Sequence, residues 1–79
     1  MQVRVVLFGH LARLSSAGSG GNATVVDVET AATVDVVLDA VGVPDGERTY
    51  LTVNGERATR DARLREGDEL RVIVPLGGG

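Results

Sequence analysis

Cysteine is absent from this sequence, which excludes a disulfide framework, a thiolate metal site and a cysteine nucleophile. A chain of 79 residues that needs no disulfide suits a reducing compartment, and a cytoplasmic setting is expected. Lysine is absent as well: all eight basic residues are arginine, so no side-chain amine is present to accept an isopeptide. The aromatics are reduced to Phe8 and Tyr50, so any core must be aliphatic. The formal charge of −3 works against nucleic acid, whose binding rests on neutralising phosphates with Lys and Arg. No run approaches membrane-spanning length. Met1 leads straight into the alternating Val3-Arg4-Val5-Val6-Leu7-Phe8, without the basic start and continuous apolar block of a signal peptide. Neither a nucleic acid nor a membrane partner is expected.

What is present is a chain 43% hydrophobic, mostly valine and leucine, enough for one small aliphatic core and too short for two. Val3, Val5, Leu7 and Leu11 recur with period two and predict a strand from Val3 to Leu11, with Arg4, Val6, Phe8 and His10 on its other face. Ser15 to Asn22 is a glycine and serine loop, and the β-prone Thr24 to Val28 follows it, so the pair reads as a hairpin with a long tip.

Thr33 is positioned as an N-cap, Asp35 sits where a helix N-terminus favours an anion, and Val34, Val37, Leu38 and Val41 share one helical face. Gly42 and Pro44 stop this helix. Tyr50 to Val53 is a third strand, ended by the turn-forming pair Asn54-Gly55, with a link through Arg57 to Leu64 beyond it. Glu66-Gly67-Asp68 turns into a last strand, with Leu70, Val72 and Val74 inward, Arg71 and Ile73 outward, and Pro75 at its end. Four strands and a helix predict an α+β fold, a sheet with one helix packed across one face. Periodicity leaves the strand order open.

Few constellations here can carry chemistry. His10 is the only histidine, and no carboxylate cluster has ligand spacing, so no metal site is expected. Glu66, Asp68 and Glu69 lack the spacing of a calcium loop and read as a solvated turn. Gly18-Ser19-Gly20-Gly21 is out of register for a phosphate loop, and the serines lack a base with an orienting partner.

The remaining feature is the end, Pro75-Leu76-Gly77-Gly78-Gly79, which divides the chain into a domain over 1–75 and a flexible glycine tail over 76–79. One reading is a frayed terminus. The other is a working tail, because glycine is the residue that lets backbone pass through a channel too narrow for a Cβ. Ordering Gly77, Gly78 and Gly79 costs about 1–2 kcal/mol each, so such a tail must be helped by a second docking surface. Val6, Phe8 and Ile73, the outward apolar residues, with Leu76 at the start of the tail, are the candidate partner interface.

In this order the motifs resemble the MoaD/ThiS family of sulfur carriers, which includes the small subunit of molybdopterin synthase and the thiamin-pathway carrier. The likeness rests on the strand from Val3 to Leu11, the helix opening Thr33-Val34-Asp35, the turn Val53-Asn54-Gly55, Leu64 ahead of Glu66-Gly67-Asp68-Glu69-Leu70, and the terminal Gly78-Gly79. The resemblance implies a ubiquitin-like β-grasp fold, with the first and last strands parallel and adjacent at the centre of the sheet. It also implies that a partner adenylates the Gly79 carboxylate with ATP and magnesium, and that persulfide sulfur converts it to a donor thiocarboxylate. The implied partners are that adenylating enzyme and a molybdopterin synthase large subunit or another sulfur-acceptor enzyme. The chain itself would bind no cofactor and would not be an enzyme alone. Phe8, the roomy first hairpin and Pro75 look more like the molybdopterin synthase subunit, whereas the triple glycine looks more like the thiamin carrier. A ubiquitin-like protein modifier using the same activated Gly79, and an interaction module with an inert tail, remain open beside the carrier.

Overall fold

The computed structural model describes residues 1–14, 23–44 and 46–74. The expected hairpin tip, Pro75 and the tail lie outside the described residues. Strand β1 spans Gln2–Leu7, a 3-10 helix Gly9–Leu14, strand β2 Ala23–Asp27, helix α1 Val34–Val41, and strands β3, β4 and β5 Tyr50–Val53, Glu56–Arg57 and Glu69–Ile73.

Among the described residues the strands form one sheet in the order β2-β1-β5-β3-β4. At its centre β1 and β5 run parallel, with Val5 opposite Leu70 and Leu7 opposite Val72. The other pairings are antiparallel. This is a mixed β-grasp sheet with one helix, as the resemblance implies.

Two expectations are corrected. The first strand stops at Leu7, and Leu11 reaches the core from the 3-10 helix. A spacing of four between Leu7 and Leu11 satisfies both period two and a helical turn, so alternation alone could not separate them. Gly9 makes the change of direction at φ +65°, a left-handed conformation disfavoured for a residue with a Cβ. The second correction is a fifth strand: Asn54 and Gly55, at φ +53° and +87°, return the chain so that Glu56 and Arg57 pair with Val53 and Thr52. Two residues are too few for periodicity to register.

The core is the inner face of the sheet against α1. Val3, Val5, Leu7, Leu70 and Val72 meet Val34, Val37 and Leu38, all fully buried, with Leu11, Val43, Leu51 and Leu64 around the edge. Each such side chain contributes about 1.5–3 kcal/mol through burial, against the ordering entropy of the chain.

Helix α1 has only eight residues, four of them valine, so its ends and its packing must hold it. Thr33 caps it, its hydroxyl accepting from the Val36 N–H at 3.4 Å. The N–H groups of Val34 and Asp35 donate to the carbonyls of Ala62 and Arg60. The segment after β4 thus satisfies two N–H groups that a helix start leaves open. At the other end Gly42, at φ +101°, donates to Asp39, and Val43 donates to Leu38 at 2.9 Å. That is a Schellman closure, and the burial of both Leu38 and Val43 completes its apolar contact.

Candidate functional site

Because β1 and β5 are parallel and β3 runs against β5, the last residues of β1 and β5 and the first of β3 share one end of the sheet. The last described residues, Ile73 and Val74, lie at this end. Tyr50 pairs with Ile73, and Phe8, just past β1, donates its N–H to the Val72 carbonyl at 3.0 Å. Phe8, Ile73 and Tyr50 therefore gather at the end of the sheet where the described residues stop. Val6 stands one step back along β1, opposite Arg71.

Val6, Phe8 and Ile73, the expected interface residues, are each half-buried. Leu76, Gly77, Gly78 and Gly79 lie outside the described residues. Tyr50, 42% exposed, was not singled out from the sequence. A signal existed: Leu51 and Val53 turn inward, so Tyr50 must face outward with Ile73. Val25 on β2, opposite Arg4, is also exposed.

Three details fix the geometry of this end. A Cβ placed on Gly9 would stand 3.3 Å from the Cβ of Val74, so the turn after β1 passes tightly against the residue that follows β5. The His10 ring, in the 3-10 helix rather than at a strand end, shares a hydrogen bond with Glu47 at 2.9 Å. That contact ties the chain after β1 to the chain before β3, the two strands that flank β5. Finally the Arg57 guanidinium lies over the Tyr50 ring, 5.3 Å from its centre, a cation–π contact.

The outer face of the sheet is also charged. Glu69 receives Arg4 from the neighbouring strand at 3.4 Å and Arg71 from its own at 3.0 Å. The turn before β5 is built, not merely solvated. Asp68 accepts from Asn54 Nδ2 at 2.9 Å and from the Arg65 N–H at 2.8 Å, while Asn54 Oδ1 accepts from the Glu69 N–H at 2.9 Å. That closed set of bonds sets the entry of β5 and, through it, the end from which the tail leaves.

Among the described residues no three His, Asp or Glu side chains group as metal ligands, and no helix is long and apolar enough to cross a membrane. What this end of the sheet offers among the described residues is a partly apolar surface from Phe8, Ile73 and Tyr50, with Arg57 over the Tyr50 ring.

No curated protein matches the sequence. Among solved structures, SAMP1 from Haloferax volcanii is similar at 31% identity, with the whole of both chains covered and a TM-score of 0.77. A structure of small archaeal modifier protein 1 from H. volcanii is similar at 29% identity, covering 95% of this chain and 98% of that one, with a TM-score of 0.76. A chain of the complex of subunits 1 and 2 of the molybdopterin-converting factor from Helicobacter pylori is similar at 17% identity, with the whole of both chains covered and a TM-score of 0.61, a likeness of fold. The model of the Mut7-C ubiquitin family matches residues 1–75, which include the sheet and helix described above, and the chain belongs to that ubiquitin-like family.

Proposed function

We propose that the chain is a sulfur carrier whose working group is the C-terminal carboxylate of Gly79, most closely allied in role to the small subunit of molybdopterin synthase. The observation that supports this reading is the meeting of Phe8, Ile73 and Tyr50 at the end of the sheet that precedes the glycine tail in the sequence. A carboxylate is a poor electrophile. Adenylation by a partner, using ATP and magnesium, converts it to an acyl-adenylate with a good leaving group. The terminal sulfur of a persulfide then expels AMP, and a second thiol reduces the resulting acyl disulfide to the thiocarboxylate. Glycine at the last positions leaves the carbonyl unhindered and the tail thin enough to enter a channel.

The chain's own contribution is docking. Phe8 is already half-buried, so covering the rest of it contributes less than the about 1.5–3 kcal/mol of a complete burial. Val6, Ile73, Tyr50 and Leu76 must share the task of offsetting the tail's ordering cost of about 1–2 kcal/mol per residue. The partners in this reading are an adenylating enzyme and then a large subunit or other acceptor that binds the substrate and brings the tail to it, a proximity effect. Catalysis belongs to those partners, and the setting is the cytoplasm.

The test is intact mass after incubation with an activating enzyme, ATP and a sulfur source. One oxygen should be replaced by sulfur, localised to the C-terminal peptide, and the sulfur should pass to a pyranopterin precursor only when the large subunit is present. Transfer to a thiazole-forming partner instead would keep the chemistry and change the pathway. Residues appended after Gly79 should leave folding intact and abolish transfer; an extended, untrimmed variant that still functions would sink the carrier reading. Phe8→Asp should weaken adenylation while leaving thermal unfolding nearly unchanged.

A second reading is favoured by the likeness to small archaeal modifier protein 1. In it the same activated Gly79 is passed to lysines of other proteins. Adducts in a lysate that survive denaturation, without sulfur transfer, would select it.

A further inference from the structure

Beside the apolar end of the sheet runs an open groove of about 580 Å³, walled by the segment from Gly46 to Leu51 on one side and Arg57 to Arg60 on the other. Its charge is opposite to that of the chain. The molecule carries −3, yet among the described residues lining the groove three are arginines and Glu47 is the sole acid. Arg60 is already answered by Asp35 at 2.8 Å, and Glu47 shares a hydrogen bond with the His10 ring at 2.9 Å. Arg48 and Arg57 have no carboxylate partner among the described residues.

The Arg57 contact is with the Tyr50 ring, 5.3 Å from its centre. A cation–π contact does not neutralise the guanidinium, whose N–H fork matches a carboxylate. Tyr50 thus pre-positions one cation, and Arg48, two residues earlier, supplies the second. An isolated tetrahedral anion is best held where donors converge from several sides. This groove is open along its length and carries apolar surface from Tyr50, which suits an extended chain.

We infer that this groove is a docking site for an acidic, Asp- and Glu-bearing segment of the partner that handles the tail. The inference rests on the carrier reading for the partner's identity. Its position supports that occupant: Tyr50 pairs with Ile73, so a protein that covers the tail exit meets the groove next. Charge complementarity of this kind raises the rate of encounter and selects among partners more than it adds affinity.

The experiment is a titration of the isotope-labelled protein at low ionic strength with a short peptide of alternating Asp and Gly, followed by nuclear magnetic resonance. An Asn and Gly counterpart and inorganic phosphate serve as the other probes. The acidic peptide should shift the backbone signals of Arg48, Tyr50 and Arg57 saturably, and the neutral peptide should not. The double variant Arg48→Gln/Arg57→Gln should weaken that binding by about ten-fold with unchanged thermal unfolding, while Arg63→Gln, outside the groove, should not. The same double variant should lower kcat/KM for adenylation by about ten-fold at low salt and less at high salt.

The inference is overturned by equal shifts with the neutral peptide, by undiminished binding in the double variant, by phosphate saturating the same signals as tightly as the peptide, or by unchanged kcat/KM. Peptide binding is read without activation. Binding by a protein that never becomes a thiocarboxylate would therefore sink the carrier reading and leave the groove standing.

Discussion

The two faces of the sheet are made from the same strands and obey different rules. On the inner face Val3, Val5, Leu7, Leu70 and Val72 are sealed beneath α1 with no accessible surface at all. On the outer face, one residue along from each, stand Arg4, Val6, Arg71 and Ile73, a mixture of charge and half-covered apolar surface. Packing alone accounts for the inner face. The outer face is not required by the fold in that sense, since apolar groups left part-exposed gain little there. Of the outer residues, Ile73 stands at the end of β5, beside Phe8 and Tyr50, whereas Arg4 lies opposite Glu69 at the start of that strand.

The largest test of this contrast is Leu7→Ala. Removing a fully buried leucine opposite Val72 should cost about 2–5 kcal/mol, a large share of what a domain of this size has. Urea titration should find the variant partly or wholly unfolded, whereas Arg4→Ala on the outer face should change stability by no more than about 0.5 kcal/mol. Comparable losses from both would mean that the outer face bears structural load, and the division between faces would fail.

Next in size is Gly9→Ala, at the hinge where one face gives way to the other. Its φ of +65° costs a residue with a Cβ about 1–2 kcal/mol, and the new methyl would stand 3.3 Å from the Val74 Cβ. A lower melting temperature is expected. Crowding beside Val74 should also shift backbone signals at the end of β5, where the tail begins. An unchanged melting temperature would show that the left-handed turn is not needed.

These sites also mark how far the sequence could be read. Helix α1 was legible from Thr33 to Gly42 because local rules decide both ends: a hydroxyl cap, a four-residue apolar period and a glycine that can turn left-handed. The inner and outer assignments of β1 and β5 were legible because period two suffices for them. The parallel pairing of β1 with β5 joins residues more than sixty positions apart, and no local pattern encodes it; only the family resemblance implied it. The same limit hid the groove. Arg48 and Tyr50 sit on one stretch of chain and Arg57 on another, and the Asn54-Gly55 turn brings the two together only when β4 folds back along β3.

A smaller effect is expected at the helix that covers the inner face. Thr33→Ala removes the hydroxyl that accepts from Val36, and such caps are worth about 1 kcal/mol. The bond is long at 3.4 Å, and the carbonyls of Ala62 and Arg60 already hold the two preceding N–H groups, so a loss at or below that figure should appear in urea titration. A loss of several kcal/mol would mean that α1 depends on its cap more than on packing against Val3, Val5 and Leu7.

The smallest effect concerns the charges that separate the outer face from a merely apolar one. Glu69 lies between Arg4 and Arg71, on the strand at the centre of the sheet. Arg4 and Arg71 are well exposed, at 59% and 50%, and Glu69 is half-buried at 32%, so water screens much of the attraction. Glu69→Gln should therefore cost no more than about 1 kcal/mol at low salt, part of it from two guanidiniums left facing each other. The loss should shrink toward zero near 1 M salt, where the screening length falls to about 3 Å. A double-mutant cycle with Arg4→Gln isolates the cross-strand pair, and its coupling should follow the same decline. A coupling above about 2 kcal/mol that ignores salt would show that this triad anchors β1 to β5. The outer face would then be a structural surface in its own right, and a partner docking on it would have to work around a rigid charge network instead of meeting residues the fold has left free.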